Sequence, residues 1–289
     1  MKLLNPNLPP HTTPANRLKA LVLDWAGTTV DFGSLAPART IHRVFEGVGI
    51  SLGEDEVRRD MGLAKREHIN RILSMPRVRD TWRAIRGRLP TADEAGTLYE
   101  MFIPLQLSCL AEYSTLIPGV VESVQRFRKR GLKIGSTTGY TRAMLDLLME
   151  ASAKAGYKPD CSISPEDAGS GRPGPFMIYE NAVRLQVYPM ASIAKIGDTP
   201  ADIQEGLNAG AWSIGVAATG NAIGLSHLEF QSLSAKERES RVANARAELQ
   251  RAGAHYVVDT LADLDSVLDE IDARLKSSDQ SLAPPRDHT

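Results

Sequence analysis

Five short stretches of the 289-residue chain carry side chains able to do chemistry. In Leu21-Val22-Leu23-Asp24-Trp25-Ala26-Gly27-Thr28-Thr29-Val30 an apolar run over 18–23 stops at an acid. At the carboxyl end of a buried parallel strand such an aspartate either faces a ligand or only caps a turn, and this stretch leaves both open. Gly197-Asp198-Thr199-Pro200-Ala201-Asp202 repeats the pattern. Ser136-Thr137-Thr138-Gly139 sets hydroxyls and a glycine before a helix that Thr141 can cap, which suits a phosphate cradle and also an ordinary loop. Arg172 is the lone cation of a glycine- and proline-rich loop over 168–175 and, taken alone, reads as a surface arginine. Lys65 lies four residues before Ile69 and seven before Ile72, on the apolar stripe of its helix and away from Arg66, Glu67 and Arg71. A lysine so placed either snorkels from the helix end or is a buried amine.

The elements that must position these residues follow from periodicity. Strands are expected at the runs before Asp24, Thr137 and Asp198, with further strands at 161–164, 212–216 and 255–258. Helices alternate with them from Pro118 onward: Val120, Val124 and Phe127 share one face, and Arg128-Lys129-Arg130-Gly131 supplies last-turn cations and a glycine stop. A polar helix is expected from the Ser234/Glu237 capping box, and a closing helix carries Leu264, Val267, Leu268 and Ile271. Between the first two strands the pattern is helical only. Ile41, Val44, Phe45 and Val48 form one helix face, Ser51/Glu54 suggests a second start, and a third helix runs over 64–75 with Pro76 as its stop. Thr91/Glu94 opens a long helix through Leu98, Phe102, Leu105 and Cys109, with a bend expected at Pro104.

The expected architecture is therefore an α/β, doubly wound, Rossmann-like parallel-sheet core over 17–33 and 115–275, interrupted by a helical cap domain over 34–114. A proline-rich arm over 1–16 and a polar tail over 276–289 flank it. Hydrophobic residues make up 42% of the chain, enough for a real core, and the net charge of -1 gives no reason to expect nucleic acid or an anionic membrane. Cys109 and Cys161 have no metal-like spacing. No run reaches membrane-span length and no secretory apolar segment is present, so a cytoplasmic protein is the expectation.

Strands ending in Asp24, Thr137-Thr138 and Asp198, with Arg172 between the last two, together resemble the haloacid dehalogenase superfamily in motif order and spacing. Within it, the stretch 24–31, Met61-Gly62-Leu63-Ala64-Lys65 with His68, and Arg172-Pro173 are similar to the phosphonatase family, over roughly 19–275. The resemblance implies an aspartate nucleophile, Asp24, and a Schiff-base lysine, Lys65, acting on phosphonoacetaldehyde in the breakdown of 2-aminoethylphosphonate. It implies Mg²⁺ held by the carboxylates of Asp24 and Asp198 and the backbone carbonyl of Ala26, with Asp202 behind or bridged by water. Thr138, Gly139 and Arg172 would bind phosphoryl oxygens, Met61 and Tyr140 would line the pocket, and His68 would relay protons. A homodimer is implied too, and a cap that opens about hinges near 32–36 and 113–118.

Ala26 bears on the chemistry. Superfamily phosphatases usually carry an acid two residues after the nucleophile to protonate an alcohol leaving group, and alanine cannot. Lys65 supplies another route, because an imine with a β-aldehyde stores the electrons leaving carbon as an enamine. A phosphate-ester phosphatase or phosphomutase is the alternative, and a binding module that kept the fold is a third reading. Ser34, where relatives can carry cysteine, is given no essential role.

Overall fold

The computed structural model of the protein describes residues 16–280. β1 (Ala20–Leu23) is buried on both faces, which is why its sequence is unbroken apolar rather than alternating. The chain then enters five helices with no strand of the sheet among them: α1 (Leu35–Glu46), α2 (Glu54–Arg58), α3 (Lys65–Ser74), α4 (Pro76–Arg86) and α5 (Ala92–Cys109). The two connections to this insert lie side by side. Val30 bridges Leu116 in antiparallel fashion, Asp31 N donates to Thr115 O, and Ile117 N donates to Thr29 O. Just beyond that pairing Asp31, Gly33 and Ser34 all have positive φ, and the Asp31 carboxylate accepts from Leu35 N and Ala36 N to cap α1.

Two local expectations change here. α2 starts after Gly53, whose N–H donates to Glu56 Oε2 at 2.8 Å, and not at Ser51. Pro76 opens α4 as its first residue, because that position needs no N–H. α5 starts at the expected Thr91/Glu94 capping box and continues through Pro104 to Cys109.

The remainder alternates. α6 (Val120–Lys129) leads to β2 (Lys133–Thr137), then α7 (Arg142–Lys154), β3 (Cys161–Ile163), a short α8 (Pro165–Ala168) and α9 (Phe176–Leu185). β4 (Ile193–Gly197), α10 (Pro200–Asn208) and β5 (Trp212–Val216) follow, then α11 (His227–Ser232), α12 (Ala235–Arg251), β6 (Tyr256–Val258) and α13 (Leu264–Gln280). The six strands are all parallel, in the order β3-β2-β1-β4-β5-β6. Leu21 and Leu23 face a core shared with Phe127 of α6, Leu145 of α7 and Leu268 of α13, while Ala20 and Val22 face Ile178 and Leu185 of α9. The expected arm over 1–16 lies outside the described residues except for Asn16. The tail expected from 276 differs in part: α13 extends to Gln280. Among the described residues no helix is long and apolar enough to cross a membrane.

The strand order reverses at β1, the point where ligands sit in such sheets. Register does the rest. Leu23 pairs with Ser136 on one side and Ile196 on the other, so Asp24 comes level with the ends of β2 and β4.

Candidate functional site

Asp24, Ala26, Met61, Lys65, Thr138, Gly139, Tyr140 and Arg172 line one small cavity of about 20 Å³ together with Ser34 and Thr199. The floor comes from the core. Asp24 is fixed by its own N–H, which donates to Ile196 O at 2.9 Å, and its Oδ1 accepts from Arg172 Nη2 at 2.5 Å. Asp198 accepts from Thr28 Oγ1 at 3.0 Å, from Asn221 N at 2.7 Å and from Ser34 Oγ at 3.4 Å. Thr28 and Ser34 therefore touch the site through Asp198. Glycine is required beside it: a Cβ on Gly27 would fall 2.3 Å from Asp198 Oδ2, and one on Gly220 2.2 Å from Asp198 Cβ.

Behind the floor lies a buried charge network that sequence reasoning reached only in part. Arg172 is anchored by Glu205 Oε2 at 2.9 Å from Nε, by Asp202 Oδ1 at 3.1 Å from Nη1, and by Thr137 Oγ1 at 2.9 Å from Nη2. Lys195, inside β4, is fully buried and reaches Asp202 Oδ1 at 2.8 Å, Glu205 Oε2 at 3.3 Å and Thr137 Oγ1 at 2.8 Å. Asp202 also accepts from Thr199 Oγ1 at 2.5 Å, the cap of α10. Arg172 is thus no surface arginine, and Lys195 and Glu205 were missed. The available signal was a charged residue inside an apolar central strand, and an acid three residues after Asp202 on the same helix face.

The roof comes from the insert. Gly62 has φ +90, and a Cβ there would lie 2.3 Å from Thr199 Oγ1. Gly139 would meet Leu63 O at 2.5 Å in the same way, so the insert's backbone rests directly on the loop after β2. Arg172 Nη1 also donates to Gly62 O at 3.3 Å. Lys65, first residue of α3, is buried, with Nζ 4.0 Å from Met61 Sδ and 5.2 Å above the Tyr140 ring. The Tyr140 hydroxyl has no hydrogen-bond partner among the described residues. His68 is not on the cavity. Its Nε2 pairs with Val57 O at 2.8 Å, which fixes the neutral Nε2–H form, and Nδ1 has no partner among the described residues.

The electrostatics split along the same line. Burial pushes the Lys65 ammonium down to about 8, with Asp24 opposing and Arg172 assisting. Burial, then Lys65, pushes His68 down to about 3, so it is neutral at ordinary pH. Burial raises Asp24, against the pull of Arg172, and burial with the neighbouring charges of Asp24 and Asp202 raises Asp198 well above the carboxylate range. Burial alone would raise Asp202 too, but Arg172 and Lys195 reverse the sign and hold it low.

Asp24, Asp198 and Asp202 each offer an oxygen within 4.8 Å of the others. Counted formally, these three carboxylates and Glu205 face the two fixed cations Arg172 and Lys195, which leaves two negative charges in a buried site. A divalent cation cancels them, and an all-oxygen donor set suits a hard ion. The buried aspartate cluster therefore fits a divalent metal. Since the Asp202 oxygens already meet Lys195, Arg172 and Thr199, Asp24 and Asp198 are the freer donors.

Comparison with known proteins agrees with this geometry. The haloacid dehalogenase-like hydrolase family matches residues 18–210. The chain is 41% identical over 270 residues to a phosphonoacetaldehyde hydrolase of Syntrophobacter fumaroxidans, covering 93% of this chain and 96% of that protein. It is 44% identical over 262 residues to one of Nitratidesulfovibrio vulgaris, covering 91% and 94%. The crystal structure of a phosphonoacetaldehyde hydrolase-like protein from Oleispira antarctica superposes with a TM-score of 0.90 at 38% identity, over 93% of this chain and 98% of that one.

Proposed function

The chain belongs to the haloacid dehalogenase-like hydrolases and, among them, to the phosphonoacetaldehyde hydrolases, and on that footing we propose how its residues divide the reaction. It hydrolyses the carbon–phosphorus bond of phosphonoacetaldehyde to acetaldehyde and phosphate. The observation that carries the mechanism is Lys65, a buried amine pushed down to about 8, on the same cavity as Asp24.

Neutral Lys65 Nζ adds to the aldehyde carbon and, with uptake of one proton, water leaves, giving a protonated imine. An Asp24 oxygen attacks phosphorus. The carbon–phosphorus pair moves onto carbon and into the imine as an enamine, and phosphorus passes to Asp24 as an acyl phosphate. The enamine carbon takes a proton, and water cleaves the imine to free acetaldehyde and Lys65. A second water releases phosphate from Asp24. Arg172, now on Asp24 Oδ1, turns to the phosphonyl oxygens together with Thr138 and the Gly139 N–H. Mg²⁺ is the proposed ion: Asp24, Asp198 and the Ala26 carbonyl would hold it, with Asp202 supporting, and when bound it would neutralise charge on the phosphoryl group. His68 is neutral at rest, and its unpartnered Nδ1 is the atom that would take a proton transiently in a relay. Met61 and Tyr140 wall the amine.

We assign residues 34–114 as a cap. The cavity has room for little more than one water, so substrate must enter with the cap lifted, about the paired connections near 32–36 and 113–118. Homodimer formation is a further proposal from the family resemblance; a cytoplasmic location is proposed too, and two free cysteines suit a reducing compartment. The test is a coupled assay for acetaldehyde on the wild type, Asp24→Asn and Lys65→Arg. The wild type turns over and both variants do not; full activity in either variant contradicts its role. Turnover of sugar phosphates with none of phosphonoacetaldehyde would favour the phosphatase reading, which Ala26 opposes by offering no acid.

A further inference from the structure

One polar cluster outside the reacting groups ties the cap to the core. Arg58 closes α2 in the cap. Its Nη1 donates to Gly33 O at 2.9 Å, to Asn221 O at 3.1 Å and to Asn221 Oδ1 at 3.2 Å. Asn221 answers with Nδ2 to Arg58 O at 3.0 Å. Nε of Arg58 is held by Glu54 Oε2 at 2.9 Å, which aims the guanidinium edge at the core. Gly224 leaves the space for it, since a Cβ there would lie 3.0 Å from Arg58 Nε. Asn221 belongs to the loop after β5, is nearly buried, and its backbone N–H donates to Asp198 Oδ2 at 2.7 Å.

This grip differs from the rest of the interface. Elsewhere cap and core meet through close contacts at Gly62 and Gly139, where the directional hold is one longer bond, 3.3 Å from Arg172 Nη1 to Gly62 O. Arg58 and Asn221 exchange bonds in both directions, at the edge of the cap, where the Arg58 side chain keeps 14% of its exposure. Polar bonds at a partly wet edge can break and re-form on each opening. From Arg58 the chain runs through Met61 and Gly62 to Lys65, so what holds Arg58 also sets the height of the amine over Asp24.

We propose that Arg58 and Asn221 are a latch pair, positioning residues that hold the cap closed and so deliver Lys65 to the substrate. The inference rests on the cap and Lys65 roles given above, and its test does not depend on them alone. The variants are Arg58→Ala, Asn221→Ala, the double variant, and Arg58→Lys, each assayed beside the wild type. Asn221→Ala keeps the backbone N–H on Asp198, so calorimetric binding of Mg²⁺ alone stays within about 2-fold of wild type if the side chain acts only on the cap. Each Ala variant lowers kcat/KM by roughly 10–100-fold, and the double variant falls no further than the worse single one. Hydrogen exchange at 32–36 and 113–118 speeds up in all three, and Arg58→Lys recovers part of both readouts. Losses that multiply in the double variant, or linker exchange unchanged while the variants remain folded, would overturn the latch. If the wild type released no acetaldehyde, the catalytic reading would fail, while faster linker exchange in the variants would still identify the latch.

Discussion

The floor and the roof of this site are equally buried, and burial does opposite things to them. On the floor, Asp24, Asp198, Asp202 and Glu205 are packed among Arg172 and Lys195, with Arg172 reaching three of these carboxylates and Lys195 two. Arg172 and Lys195 hold Asp202 low there, while Asp24 and Asp198 are raised, and one divalent ion would complete the balance. In the roof, Lys65 has Met61, a tyrosine ring and no ion-pair partner within bonding distance among the described residues. Burial there is only partly offset, by the charges of Asp24 and Asp31, so the amine is pushed down to about 8. In the proposed reaction one half of the site keeps charges to meet a phosphonyl group, and the other sheds a charge to make a nucleophile.

That contrast can be broken from either side, and the largest effect is expected on the floor. Asp24→Asn removes the acceptor of phosphorus and should lower acetaldehyde release by roughly 10⁴-fold or more, as loss of a nucleophile does. Chelation with EDTA should also abolish turnover, and restoring Mg²⁺ should recover it, while imine formation between acetaldehyde and Lys65, read by borohydride reduction, survives in the chelated protein. A chelated enzyme with full turnover would remove the metal from the account. Glu205→Gln leaves Arg172 and Lys195 with one carboxylate fewer, and breaking a buried charge network of this kind costs about 3–5 kcal/mol of stability. Thermal unfolding would report it, and an unchanged midpoint would mean that the network does not hold the floor.

The sequence already showed the parts of the floor that lie at strand ends. Asp24, Thr138 and Asp198 stand where apolar runs stop, and a parallel sheet puts such stops on one edge. Lys65 was visible because a cation on an apolar stripe conflicts with its pattern. Lys195 and Glu205 were not, since Lys195 is one charge in a short strand and its partners come from β2, the Arg172 loop and α10. α4 escaped because a proline stops one helix and starts the next with the same letter. The Arg58–Asn221 contact spans 163 positions, and no local spacing encodes it.

The roof gives the smaller effects. For an amine that must be neutral, log kcat/KM should climb with unit slope as pH rises toward about 8 and level off above it. The sign follows from the depression: the protonated form dominates below that value and cannot attack. A profile flat from pH 6 to pH 9, in about the range where an amine near 8 titrates, would place the acceptor of carbon elsewhere. Tyr140→Phe should be the mildest change. Its hydroxyl has no hydrogen-bond partner among the described residues, so activity should stay within about 3-fold while the ring keeps its place over the amine.

The most direct test combines both halves in one protein. Asp24→Asn is incubated with phosphonoacetaldehyde and borohydride, and the adduct is located by mass spectrometry of the digested chain. A reduced adduct on Lys65, formed without phosphate release, shows that the roof engages carbon before the floor engages phosphorus. Recovery of unmodified Lys65 from a folded, substrate-binding protein would contradict the division of labour between them.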